Sequence, residues 1–102
     1  MSHSEWVIAT VMEECHLSLQ QLSALCAVEP EWVLNHLDDG LLSAIRQGEE
    51  GWLFTYADLL RAKRILNIER VFEAPPELAA LVADLQEELD ALRRQLSRSQ
   101  GC

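Results

Sequence analysis

The residue types that could perform acid–base or metal chemistry in this chain are its carboxylates, histidines and cysteines. Three pairs of adjacent acids are present, Glu13-Glu14, Asp38-Asp39 and Glu49-Glu50. Neighbouring side chains diverge on a helix or strand, so each pair is a solvated surface feature and not a catalytic dyad. The three histidines are His3, His16 and His36. None has a carboxylate or cysteine at metal-ligand spacing, and we expect no bound metal.

The cysteines also argue against chemistry. Cys15, Cys26 and Cys102 are widely spaced and odd in number, and they form no Cys-x-x-Cys pair. The sequence contains no Gly-rich phosphate loop and no nucleophile motif. We therefore expect no enzymatic activity and no cofactor.

Charge is distributed very unevenly along the chain, whose formal net charge is −9. The first sixty residues contain one base, Arg46, and ten acids: Glu5, Glu13, Glu14, Glu29, Glu31, Asp38, Asp39, Glu49, Glu50 and Asp58. Residues 61–102 hold seven acids and seven bases. All of the excess negative charge thus lies in the first sixty residues, which repels phosphate and favours a basic partner.

The length of 102 residues indicates one compact domain with an appended helix. No apolar run is long enough to span a bilayer, and the N-terminus lacks the pattern of a signal peptide. We expect a cytoplasmic protein that binds no membrane. Residues 5–12 are β-branched and include a Trp, and they are interpreted as a short strand.

A helix-turn-helix is predicted next. Ser18 and Gln21 form a capping box at the start of a first helix, which ends near Cys26 and has Leu22, Leu25 and Cys26 on its apolar face.

The second helix begins at Pro30 and ends at Gly40, with Val33 and Leu37 facing inward. The short connection, residues 27–29, is typical of a helix-turn-helix.

A β-hairpin and a third helix follow. Apolar residues 41–45 and 52–54 flank a polar loop at 46–51, which predicts a hairpin in the position of a wing. Thr55, with Asp58 three residues later, caps the third helix. Pro75-Pro76 then interrupts the chain before a fourth helix.

The last helix carries an a/d pattern of a coiled coil, formed by Leu78, Val82, Leu85, Leu89, Leu92 and Leu96. Its acids (Glu77, Asp84, Glu87, Glu88, Asp90) precede its bases (Arg93, Arg94, Arg98). This order favours two antiparallel copies, and we expect a homodimer. The alternative is a stripe that packs only on its own domain, with charges that suit the helix macrodipole.

These elements predict a mainly α fold. It is a winged helix-turn-helix head at residues 1–74 with a small β-hairpin wing, followed by a coiled-coil-like dimerisation helix at 75–102. In such heads the second helix enters the DNA major groove with Arg, Lys, Asn or Gln at the bases. Here that helix carries acids at both ends, and the wing tip adds Glu49 and Glu50. Electrostatic repulsion from phosphate therefore argues against nucleic acid as the partner.

The second helix and wing are instead predicted to bind a protein. The candidate contact residues are Glu29, Glu31, Trp32, Asn35, His36, Asp38, Asp39, Glu49 and Glu50. On the helix, Glu31, Trp32, Asn35, His36 and Asp39 are expected to face outward. An exposed Trp surrounded by carboxylates is a suitable anchor for a basic surface.

Three runs carry a family resemblance: LSLQQLSALCAVEPEWVLNHLDDGLL, GWLFTYADLLRAKRILNIERVF and ELAALVADLQEELDALRRQL. Together they resemble the MerR-like chaperone-modulator family, the CbpM-like proteins, over roughly residues 17–98. The resemblance implies binding to the J-domain of CbpA, a DnaJ-like co-chaperone, and inhibition of its stimulation of DnaK. The alternative is a MerR-type transcriptional regulator that binds DNA as a dimer, or one repurposed as a small-molecule sensor.

Overall fold

The computed structural model describes residues 16–48 and 51–100, which form a mainly helical structure with a small antiparallel sheet. The strands are β1 (Leu17–Ser18), β2 (Arg46–Gly48) and β3 (Gly51–Phe54). The helices are α1 (Leu19–Cys26), α2 (Pro30–Asp38), α3 (Tyr56–Phe72) and α4 (Pro76–Gln100). The expected strand at residues 5–12 lies outside the described residues.

The described residues divide into two compact units, with the boundary after Lys63 and therefore inside α3. The sequence placed the boundary between residues 74 and 75, where prolines interrupt the chain; that division stays a prediction. Within the described ranges, no helix is long and apolar enough to cross a membrane.

The sheet has β3 in its centre, paired on both edges. Leu17 of β1 pairs with Phe54, and Gln47 of β2 pairs with Trp52, both antiparallel. The predicted hairpin is present, but its first strand is Arg46–Gly48 and not the apolar run 41–45. That run fails to form the strand because its first two amide groups complete the end of α2, where Leu41 and Leu42 both donate to the His36 carbonyl.

The start of α1 is the predicted capping box. The Ser18 amide donates to Gln21 Oε1 at 2.8 Å, and the Gln21 amide donates to Ser18 Oγ at 3.1 Å. Leu22 and Cys26 are buried as expected, whereas Leu25 is 46% exposed. Ser23 is buried in its place, because it lies on the other side of the Leu22–Cys26 row; its hydroxyl donates to the Leu19 carbonyl.

Cys26 is a buried free thiol. Burial raises the pKa of this thiol, and the positive charge of Lys63 acts in the opposite direction. The neutral thiol is therefore favoured, and Cys26 serves as a small apolar residue of the core.

The capping of α3 is also as predicted. The Thr55 amide donates to Asp58 Oδ2 at 2.9 Å, and the Asp58 amide donates to Thr55 Oγ1 at 3.1 Å. Asp58 additionally accepts a hydrogen bond from Ser43 Oγ at 3.2 Å. Arg61 donates through Nε to the Leu41 carbonyl at 2.8 Å. These bonds connect α3 to the segment that follows α2.

The first unit has a core to which β1, α1, α2, β3 and the first part of α3 contribute. Its buried apolar residues are Leu17, Leu22, Cys26, Val33, Leu42, Phe54, Leu59 and Ala62. Phe54 is the largest side chain that is fully buried.

In the second unit, α4 buries alanines and exposes leucines. Ala79, Ala80 and Ala83 are buried, whereas the predicted seam residues Leu78, Leu85, Leu89, Leu92 and Leu96 are between 46% and 59% exposed. Arg64 of α3 forms an ion pair with Asp90 of α4. The seam leucines are therefore not buried within the second unit.

The end of α1 has a backbone conformation that its residue does not favour. Ala27 has φ 57°, while its amide donates to the Ala24 carbonyl and the Val28 amide donates to the Ser23 carbonyl. This is the hydrogen-bond pattern of a Schellman motif, in which glycine is usual. A left-handed conformation costs a residue with a Cβ about 1–2 kcal/mol.

We predict that Ala27→Gly raises the free energy of unfolding by about 0.5–1 kcal/mol, since relief of this strain exceeds the added entropy of the unfolded chain. The matched control is Ala24→Gly, at a position inside α1. This substitution should lower the free energy of unfolding by about 0.5–1 kcal/mol. Urea titration followed by circular dichroism measures both values. If both variants destabilised the protein equally, the left-handed conformation of Ala27 would not be a source of strain.

Candidate functional site

Helix α2 presents a row of polar side chains to solvent. Glu31, Asn35 and Asp38 are exposed and follow one another at spacings of four and three residues. Residues at these spacings lie on one face of an α-helix. Val33 on the opposite side is fully buried. Two carboxylates and one amide, defined here as the acidic row, therefore point away from the core.

The two ends of α2 add one further acid each. Glu29 is the N-cap residue and is exposed, and its side chain makes no capping hydrogen bond. Asp39 is exposed at the other end. Gly40 has φ 76°, as its predicted left-handed role requires, and its amide donates to the Leu37 carbonyl. Together with the bond from Leu41 to the His36 carbonyl, this ends the helix in a Schellman motif.

His36 does not face outward, and that expectation is wrong. It is 5% exposed, its Nδ1 lies 2.7 Å from the Trp32 carbonyl oxygen, and its ring stacks on Trp32 with centroids 3.8 Å apart. The spacing of four residues that places the two rings together also turns His36 towards the buried side beside Val33. His36 can therefore affect the surface of α2 only through the Trp32 indole, on which its ring stacks.

Trp32 is half-buried and held by this stacking. A side chain whose rotamer is already fixed loses little conformational entropy when a partner binds. Trp32 therefore keeps the properties of an anchor, although it is less exposed than the sequence suggested.

A groove lies beside the acidic row, between α2 and β3. It is lined by Leu34, Asn35, Leu37, Asp38 and Trp52 and has a volume of about 530 Å³. The sequence assigned Leu37 to the core, but this residue is only half-buried. Its side chain borders the groove because Val33 and His36 occupy the buried face.

Trp52 is a contact candidate that the sequence reasoning missed. It pairs with Gln47 across the hairpin, and its ring stacks on that of Phe54 at 6.5 Å between centroids. Phe54 is fully buried, so this stacking fixes Trp52 at the edge of the core next to α2. Alternation places residues 52 and 54 on one face of the strand, which was the available signal.

The positions of the acids along α2 differ in their effect on the helix. Glu31 lies in the first turn, where the macrodipole favours a carboxylate, whereas Asp38 and Asp39 lie at the last turn, where it disfavours one. The two aspartates therefore do not serve to stabilise the helix.

The structure thus brings Glu31, Asn35 and Asp38 into one row, and a groove lined by both polar and apolar side chains lies beside it. Glu49 and Glu50 lie outside the described residues, so their place relative to this row stays a prediction. Within residues 16–48 and 51–100, no group of three or more His, Cys, Asp and Glu residues is arranged to hold a metal ion. Comparison of the chain with protein-family models, curated proteins and solved structures found no match.

We predict that Asp38→Asn combined with Asp39→Asn raises the free energy of unfolding, by about 0.3–1 kcal/mol for each carboxylate removed from the negative end of the dipole. The control is Glu31→Gln at the positive, N-terminal end of α2. This substitution should lower the free energy of unfolding by a similar amount. Urea titrations at low salt give both values, and the differences should shrink in high salt. If the double variant had a lower free energy of unfolding than the original chain, these aspartates would instead stabilise the fold.

Proposed function

We propose that this chain is a winged helix-turn-helix protein of the CbpM-like type. In this proposal it binds the J-domain of a CbpA or other DnaJ-like co-chaperone in the cytoplasm and inhibits its stimulation of DnaK. The observation that carries the proposal is the exposed acidic row of α2 with the groove beside it. The family resemblance supplies the identity of the partner.

The order of elements supports the winged helix-turn-helix assignment. Helices α1 and α2 are joined by three residues, 27–29, and the hairpin of β2 and β3 follows α2. In proteins of this architecture, the second helix and the hairpin are the surfaces that meet a ligand. The acidic row and Trp52 lie on these two elements.

Charge argues that the ligand is a basic protein surface. The exposed face of α2 carries Glu31 and Asp38, whereas a helix that enters the DNA major groove needs side chains that donate hydrogen bonds to bases and phosphates. Carboxylates at these positions repel each phosphate that they approach. The same carboxylates accelerate the encounter with a basic protein and help to orient it.

The groove explains how a basic helix would be held. Leu34, Leu37 and Trp52 offer apolar contact area, and Asp38 lies on the same lining as a partner for Lys or Arg. An amphipathic helix with apolar residues on one side and bases at its margin has the complementary chemistry. The resemblance implies that J-domains use a basic helix of this kind to engage DnaK.

Inhibition then follows from competition for one surface. While α2 covers the basic helix of the J-domain, DnaK cannot contact that helix, and no chemical step is required of the chain. The effect depends on the relative concentrations of the chain and of DnaK, because both occupy the same site.

We predict that Glu31→Lys with Asp38→Lys weakens binding to a CbpA J-domain by at least about tenfold and reduces its salt dependence, because two attractive contacts become repulsive. The control is Glu73→Lys with Glu77→Lys, which makes the same change in net charge at two exposed acids of the second unit. Titration calorimetry at low and moderate salt measures both variants. Equal affinity of both variants would reject the acidic row as the contact surface.

A gel shift with duplex DNA at low salt tests the transcriptional alternative. We expect no complex, since the first sixty residues carry all of the excess negative charge. A tight complex with DNA, together with no binding to the J-domain, would overturn the proposed function.

A further inference from the structure

The groove between α2 and β3 combines two kinds of lining. Leu34, Leu37 and Trp52 border it with apolar side chains, whereas Asn35 and Asp38 border it with an amide and a carboxylate. A purely apolar occupant would take water away from this carboxylate without giving it a charged partner, which is costly. The mixed lining therefore fits a side chain that is cationic at its tip and has apolar neighbours.

The acceptor side of the groove lies on α2. Asn35 and Asp38 are three residues apart, so they lie on one face of the helix, and both are exposed. Among the described residues, the Asp38 carboxylate has no hydrogen-bond or ion-pair partner. The carboxylate and the amide together offer three oxygen acceptors to a donor in the groove.

The aromatic side of the groove is Trp52 on β3. Its ring stacks on the buried Phe54, and β3 is paired along both edges, so the indole is held in place before a partner arrives. Trp52 is half-buried and borders the groove. A fixed indole and a carboxylate on one lining suit a planar cation, because such a cation stacks on the ring while its N–H groups donate to the oxygens.

We propose that this groove is a subsite for one arginine side chain of a partner helix, with its guanidinium stacked on Trp52 and bonded twice to the Asp38 carboxylate. The inference rests on the proposed function, in which the partner presents a basic helix, and it adds which side chain is recognised. Leu34 and Leu37 then contact an apolar residue of the partner helix that lies one turn from the arginine.

Arginine fits this lining better than lysine does. The guanidinium is planar, presents its donors in a fixed fork and is weakly hydrated, so it stacks on an aromatic ring and bonds to a carboxylate through two parallel hydrogen bonds. The lysine ammonium is a compact and strongly hydrated charge that gains less from either contact. Asp38 by itself attracts both bases, whereas Trp52 and the paired hydrogen bonds distinguish them.

The charge around the groove favours an unlike partner. Besides Asp38, helix α2 and its N-cap carry Glu29, Glu31 and Asp39, all of them exposed. The first sixty residues contain a single base, Arg46, so the same surface of a second copy is repelled here. A partner helix with several bases is attracted, and the groove then selects one of those bases by its shape.

Peptide binding tests the subsite without a J-domain. Two helical peptides of about 20 residues, built from Ala, Leu and Gln with one base, differ only in whether that base is Arg or Lys. We expect the Arg peptide to bind the full chain about fivefold to tenfold more tightly, since stacking and paired hydrogen bonds act on it alone. Fluorescence anisotropy of the labelled peptides measures both affinities.

Two matched variants locate the subsite. Asp38→Asn should abolish the preference for Arg, whereas Asp39→Asn, the same charge change at a neighbour that does not line the groove, should retain it. Trp52→Leu keeps an apolar side chain without the indole, and it should lower the affinity of the Arg peptide to that of the Lys peptide. Circular dichroism shows whether each variant folds. The two aspartate positions are exposed, so this comparison remains decisive if Trp52→Leu does not fold.

The same preference should appear with the CbpA J-domain. Arg→Lys changes, made one at a time in its basic helix, keep its charge, and one of them should weaken binding by about fivefold to tenfold. With the Asp38→Asn chain, that change should alter the affinity by less than about twofold, because the contact is already lost. Titration calorimetry measures the four affinities of this cycle.

The outcomes separate this inference from the proposed function. Equal affinity of the two peptides, no binding of either, or a preference for Arg that persists in Asp38→Asn rejects the arginine subsite. A gain in peptide affinity with Arg46→Gln also rejects it, because a base of the chain itself then occupies the groove. If the Arg peptide is preferred but the J-domain does not bind, the subsite stands and the proposed partner is wrong. If the J-domain binds and the peptides show no preference, only the subsite is wrong.

Discussion

The pairing of β3 with strands on both of its edges is the constraint on which the first unit depends. Along the chain, β1 precedes α1 and β2 follows α2. Because both strands pair with β3, the segments before and after this pair of helices are hydrogen-bonded to the same strand. Phe54 at the end of β3 is fully buried, and Trp52, two residues earlier on the same face, stacks on it. The groove beside α2 exists because this strand is held in place from both sides.

Helix α2 combines packing and exposure in only nine residues. Val33 and His36 form the buried face of the helix. The His36 ring also stacks on Trp32, so aromatic packing extends this face. The remaining turns are thereby free to carry polar side chains. Asp38 and Asp39 are placed there against the helix dipole, so they are unfavourable for the stability of the helix.

The features that the sequence predicted correctly are those set by local hydrogen bonds. The Ser18–Gln21 and Thr55–Asp58 boxes and the turn at Gly40 each involve residues within a few positions of one another. The errors concern faces and strands that depend on distant neighbours. The apolar pattern of 41–45 resembles a strand in isolation, but the Leu41 and Leu42 amides complete the end of α2, and only the Ile45 amide bonds to β3. For the same reason the place of Trp52 beside α2 was missed, because the sequence does not show which edge of β3 meets that helix.

The distribution of charge differs between the two parts of the chain. The first sixty residues hold all of the excess negative charge, so their surface attracts an unlike partner and repels another copy of itself. Residues 61–102 are charge-balanced, and α4 exposes Leu85, Leu89 and Leu92. Net charge therefore distinguishes the first sixty residues from the rest of the chain, whereas the exposed leucines of α4 are distinguished by their apolar area, which has no preferred direction.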